Sequence, residues 1–134
     1  ALARDVGVNL RLPGNIPNER LPQVMLQHDV FVCTSRWEGH PKALTEAMAA
    51  GMPCVGAHAP GVSNLIEHER TGMLVEASAD AVADAVRRIT RDREFAQRLG
   101  VDARSKAQEL FSFQPLFQKE YHRIAGISAC IIPT

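Results

Sequence analysis

Short apolar runs alternate with segments of helical period along this chain. Val8 to Leu12 (VNLRL) alternates apolar and polar positions and predicts a strand, closed by the turn cluster Pro13-Gly14-Asn15. Leu21 to Gln27 predicts a helix, with Asn18 as its N-cap. Val30 to Thr34 (VFVCT) and Pro53 to Ala57 (PCVGA) carry no charge, as expected of strands in a parallel sheet covered on both faces. Between them a polar loop, Ser35 to Pro41, leads into a predicted helix at Lys42 to Ala50, stopped by Gly51. His58 to Gly61 predicts a loop, Val62 to Glu67 a short helix, and Thr71 to Val75 (TGMLV) a third strand of this group. Ala79 to Thr90 predicts an amphipathic helix whose apolar stripe is Ala81, Val82, Ala85, Val86 and Ile89. Asp92 to Leu110 and Pro115 to Ile124 predict two further helices, and Ser128 to Thr134 reads as a tail. Strands alternating with helices define the class as α/β, a Rossmann-like parallel sheet with flanking helices.

Composition narrows the partners. The 134 residues are enough for one modest domain, and 46% hydrophobic with 22% charged residues is globular. Fifteen basic residues balance fifteen acidic ones, which argues against a nucleic-acid partner. Cys33, Cys54 and Cys130 have no CxxC spacing, and their odd number suggests no disulfide framework, so the setting reads as reducing and cytoplasmic. No run of about 18 apolar residues predicts a spanning helix, and no leader segment is visible. His28, His58, His68 and His122 lack metal-ligand spacing, so neither a metal nor another cofactor is expected.

The candidate chemistry lies in the segment from Ser35 to Pro53, which joins a buried strand to a helix. Ligands of open parallel sheets sit at the carboxyl ends of strands. The helix N-terminus near Pro41 to Ala43 offers backbone N–H groups and the positive end of a dipole, a ready place for a phosphate. Gly39 lets the backbone come close to a ligand. Glu38 stands before the helix and Glu46 about one turn inside it. A carboxylate accepts two hydrogen bonds from a vicinal diol, so the pair fits a sugar, a diphosphate and a ribose in line. The plainer alternative is that these glutamates serve the helix dipole, an effect of about 0.3–1 kcal/mol, or face water. His40, Arg36 and Lys42 are candidate donors to a phosphate, with simple solvation as the alternative for each.

The segment S-R-W-E-G-H-P-K-A-L-T-E-A-M-A-A-G-M-P-C-V resembles the donor motif of retaining GT-B glycosyltransferases of family 4, the group 1 type. That motif carries two glutamates separated by seven residues, in the form S-R-x-E-G-x-x-x-x-x-x-E-A-M-A-x-G-x-P-V. Asp29-Val30-Phe31-Val32 resembles the family's A-D-V-F-V run, Gly61-Val62 to Leu65-Ile66 its G-G-x-x-E-I-V, and Thr71 to Val75 its T-G-x-L-V strand. The likeness covers residues 1 to about 123. It implies that residues 1–125 form part of the C-terminal, nucleotide-sugar-binding domain and that 126–134 are a tail. It implies that Glu46 binds ribose hydroxyls and that Glu38, the catalytic candidate, faces the transferred sugar. Donor-binding backbone would run through Gly39, His40, Lys42, Ala43 and Leu44, with Gly14 and Ile16 beside the nucleobase. Where relatives often carry an aromatic-glycine pair, this chain has His40-Pro41, and Pro41 has no N–H to donate.

The implied reaction is hexosyl transfer, with retention, from a nucleotide-diphosphate sugar to an acceptor sugar, lipid or small molecule, as in polysaccharide or glycolipid biosynthesis. The place is the cytoplasm or the cytoplasmic face of a membrane. The family's domain is doubly wound, with strand order 3-2-1-4-5-6. By that order the chain starts near strand three, so the first two strands, the N-terminal domain and its Arg–Lys charge clamp would be missing partners. Val8 to Leu12 would then have no neighbour, and the fold would be marginal or would pair its exposed sheet edges in an oligomer. Two other readings stand beside transfer: a catalytically inactive nucleotide-sugar-binding or scaffold fragment, and a dehydrogenase Rossmann domain, whose GxGxxG is absent here.

Overall fold

Three parallel strands, β1 (Phe31–Cys33), β2 (Cys54–Ala57) and β3 (Met73–Val75), form the sheet of the computed structural model, which describes residue 5 and residues 7–111. They lie in the order β1-β2-β3, with Val32 opposite Val55 and Gly56 opposite Leu74. A 3₁₀ turn at Asn18–Arg20 runs into α1 (Leu21–Met25). Helix α2 (Lys42–Ala49) joins β1 to β2, and α3 (Val62–Leu65) joins β2 to β3. Two longer helices, α4 (Ala79–Arg91) and α5 (Arg93–Phe111), follow. This is the expected α/β, Rossmann-like arrangement, and its sequential strand order matches the 4-5-6 half of a doubly wound sheet.

The central strand explains the two cores. All four residues of β2 are buried, because β1 and β3 flank it and helices cover both faces. The pleat sends Cys54 to a core with Leu44, Met48, Val62 and Ile66, and sends Val55 to one with Met73, Ile89, Phe95 and Leu99. Ala85 and Ile89 bury the predicted stripe of α4, and Ser78 caps that helix by accepting from the Ala81 N–H at 3.2 Å. Asp92 does the same for α5, accepting from the Phe95 N–H at 2.9 Å.

Four expectations need correction. Val8 to Leu12 is not a strand: it has no ladder partner among the described residues, the Leu10 N–H turns back to the Val8 carbonyl at 3.0 Å, and Leu12 is 83% exposed. Asn18 does not cap α1 with its side chain; the chain enters that helix through the 3₁₀ turn, with Arg20 at the cap position. Strand β1 is not covered on both faces, since α4 packs on β2 and β3 and leaves Val32 40% exposed. Helix α3 stops at Leu65, before Glu67, because Ile66 turns to extended backbone and enters the core. The helix expected at Pro115 to Ile124 and the tail from 126 lie outside the described residues. Among the described residues no helix is long and apolar enough to cross a membrane.

Besides the core side chains Phe95, Leu99, Ala103 and Ala107, α5 meets the rest of the fold at Gly51 and at Glu67. Gly51 ends α2 at φ 77°, and α5 crosses it so closely that a Cβ on Gly100 would lie 2.2 Å from the Gly51 carbonyl oxygen. A mid-helix glycine costs about 1 kcal/mol against alanine, so close approach is what favours it here. Glu67, after α3, accepts hydrogen bonds from Lys106 of α5 and from Arg70, the latter at 2.5 Å. The Lys106 bond is the main cause that holds the Glu67 carboxyl below its ordinary range, and the two cations' charges add to it against some desolvation.

Gly100→Ala should therefore lower stability by about 1–3 kcal/mol, despite alanine's better helix propensity, because backbone must move to admit the methyl. A urea midpoint equal to or above the parent's would contradict this contact. Because the folded Glu67 pKa is depressed, its contribution is present in full above the ordinary value of 4.5 and is lost as pH falls through the folded value. Glu67→Gln should flatten the fall of melting temperature on the acid side; an unchanged acid limb would show that the cluster adds nothing.

Candidate functional site

The parallel strands put the loops after β1 and β2 at the same end of the sheet. The loop after β1 carries Trp37, 78% exposed, then half-buried Glu38 and exposed Gly39 and His40. Pro41, buried, holds the N-cap position of α2. The first intrahelical bond runs from the Thr45 N–H to the Pro41 carbonyl at 3.1 Å. The N–H groups of Lys42, Ala43 and Leu44 thus precede the helical ladder and have no partner within it. No side chain caps this end, and the first turn holds no acidic residue.

The one charged residue in that turn is the cation Lys42, where the dipole disfavours a cation by about 0.3–1 kcal/mol. Its ammonium lies 3.4 Å from the Glu46 carboxylate, one turn on, in the less favourable order for a helical pair. The side chains are 68% and 34% exposed, so the pair contributes little to stability. A helix start with a lysine, no acid and no cap departs from the rules for a stable terminus. It matches what an anionic ligand would complete.

Glu46 opens onto a cleft of about 320 Å³, shared with Asn18, Leu21, Pro22 and Met25 on one side and with Ala49 and Ala50 on its own helix. The sequence reading did not place these residues at the site. Ala49 and Ala50 stand three and four positions after Glu46, so helical spacing alone marks them as its neighbours. The residues around α1 come from a distant part of the chain and carry no such local signal.

The other candidates distribute as follows. Leu44 has its side chain fully buried in the core, so only its backbone can face a ligand. Gly14, at φ 74°, is exposed, and Ile16 borders a second cavity of about 730 Å³ with Arg20, Val24 and Gln27. Those residues occupy a different face of α1 from Leu21 and Met25, so the Gly14 to Ile16 turn and Glu46 are not brought into one cleft. Arg36 also lies elsewhere, in a depression of about 480 Å³ with Thr34, Ser78 and Val82. Burial, with the neighbouring Cys33, pushes the Cys54 thiol up to about 12, which leaves it a core residue and not a nucleophile. Among the described residues no three of His, Cys, Asp and Glu cluster so as to hold a metal ion.

Known proteins match this frame. A family model described as "Glycosyl transferases group 1" matches residues 1–106. The UDP-Gal:alpha-D-GlcNAc-diphosphoundecaprenol alpha-1,3-galactosyltransferase of Escherichia coli is 36% identical over 74 residues, which cover 54% of this chain and 19% of that protein. A GDP-mannose-dependent alpha-(1-6)-phosphatidylinositol monomannoside mannosyltransferase of Mycobacterium tuberculosis is 34% identical over 113 residues, covering 77% of this chain and 29% of its own length. Sucrose-phosphate synthase from Thermosynechococcus elongatus superposes with a TM-score of 0.84 at 27% identity, over 96% of this chain and 33% of that one. The chain therefore spans less than a third of the two curated relatives named here. The matched span takes in every strand of the sheet, both glutamates and the start of α2, and the chain belongs to the group 1 glycosyl transferases.

Proposed function

We propose that this chain binds the nucleotide-diphosphate sugar for a transferase that moves a hexosyl group, with retention, to an acceptor. The observation that carries the reading is the start of α2: an uncapped helix end with Lys42 in its first turn, flanked by Glu38 and Glu46. The relatives' names support it, since one specifies a UDP sugar and another GDP-mannose. The diphosphate would lie against the N–H groups of Lys42, Ala43 and Leu44, with Gly39 and His40 completing the loop. As the sugar–oxygen bond breaks, negative charge grows on the diphosphate, and fixed N–H dipoles stabilise it without reorganising. The reading gives this work to backbone and cationic side chains and assigns no cofactor.

In this reading Glu46 binds the ribose hydroxyls. It borders the cleft, and Lys42 holds one of its oxygens while the carboxylate keeps further acceptor capacity. Glu38 sits at the carboxyl end of β1 and faces the transferred sugar in this reading; both glutamates position the donor. Gly14 and Ile16, which the resemblance puts beside the base, lie outside the Glu46 cleft, so this reading gives them no contact with a nucleotide seated on Glu46. The acceptor class is a sugar, lipid or small molecule. The names of the two curated relatives above include a diphosphoundecaprenol-linked sugar and a phosphatidylinositol mannoside, which supports a lipid-linked acceptor; in this reading the reaction runs in the cytoplasm or at the cytoplasmic face of a membrane.

Glu46→Ala should raise the donor dissociation constant roughly tenfold or more, the scale of losing hydrogen bonds to a charged acceptor. Titration calorimetry of this protein with UDP-glucose, GDP-mannose and ADP-glucose measures it. An unchanged affinity for the donor that the parent binds would remove Glu46 from the site.

A further inference from the structure

We infer that Gly61 is a positioning residue for the donor: it sets the orientation of the Glu38–Gly39 peptide and, through it, the direction of the Gly39 N–H. This rests on the donor reading of the α2 end given above. Gly61 lies in the loop after β2, 23 residues beyond Glu38, and is buried at φ 86°. A Cβ built on it would fall 2.2 Å from the Glu38 carbonyl oxygen, 3.1 Å from its carbon and 3.3 Å from the Gly39 oxygen. The loop after β2 is therefore pressed against the Glu-Gly backbone of the loop after β1, and only a residue without a side chain allows it.

The consequence is directional. The peptide is trans, since the described residues contain no cis bond. In a trans peptide the N–H points opposite to the C=O. With the Glu38 carbonyl against Gly61, the Gly39 N–H is turned away from the β2 loop, and Gly39 is an exposed residue. In this proposal Gly39 adds a backbone donor, held by the Gly61 contact, in the loop that leads into α2. A larger residue at 61 has to push the carbonyl, and rotating that peptide redirects the N–H with it. Backbone donors count for most when they are aimed before the ligand arrives, and a misaimed one loses its bond to a charged oxygen.

The comparison variant is Gly72→Ala. Its Cβ would meet the Cys54 carbonyl oxygen at 2.8 Å, an equally backbone-directed clash but inside the sheet and away from the loop. Melting temperature and the dissociation constants for UDP-glucose, GDP-mannose and ADP-glucose are measured for the parent, Gly61→Ala and Gly72→Ala, below the lowest melting point. Both variants should melt earlier, and Gly61→Ala alone should bind the parent's donor roughly tenfold or more weakly. Parent-like affinity in folded Gly61→Ala, or equal weakening in both variants, overturns the positioning role. Should Gly61→Ala fail to fold, the amide resonance of Gly39 in the parent decides: it should shift saturably with the donor, and no shift overturns the proposal. A parent that binds none of the three donors defeats the donor reading itself, which is a separate failure.

Discussion

The parallel pairing of β1 with β2 is the constraint on which the rest depends. Parallel strands end on the same side, so the loop that carries Glu38 and the loop that carries Gly61 must meet there. The pairing also fixes where α2 starts, because the chain has to climb back over the sheet to reach β2. Burial of β2 at all four positions makes the pairing hard to slip: a shift of one residue would exchange Cys54 and Val55 between the two cores. The base of the candidate site is thus held by apolar packing, with the polar groups at its rim.

At the rim, local stability rules are set aside. A helix start usually gains an acid and a cap; α2 has neither and carries Lys42 instead. The cost is small, and the core residues Leu44, Ala47 and Met48 on the same helix outweigh it. Gly61 is a similar case: its positive φ and its contact with Glu38 trade conformational freedom for a fixed loop. Proteins of this construction concentrate such departures where a ligand supplies the missing interaction.

Much of this was legible in the chain. Uncharged β-branched runs mark β1 and β2, the Gly51 stop marks the end of α2, and the stripe of α4 appears at the expected period. Residue types alone mark the two glutamates and the start of α2 as a candidate phosphate site, with the helix dipole or solvation as the plainer alternative. What failed was non-local. VNLRL has the right alternation for a strand, yet a strand exists only with a partner, and none stands beside it among the described residues. The exposure of Val32 depends on where α4 packs, which β1 does not encode. The cleft at Glu46 draws Leu21 and Met25 from a helix more than twenty positions away, and the Gly61–Glu38 contact joins two loops that no periodicity connects.

The central claim is that the start of α2 holds the diphosphate of the donor. A crystal structure of this protein with the nucleotide sugar it binds most tightly tests it directly. The account predicts phosphate oxygens within hydrogen-bond reach of the N–H groups at Lys42 to Leu44, with ribose hydroxyls on Glu46 and the hexose toward Glu38. A nucleotide seated anywhere else, with the end of α2 left to solvent, would contradict it.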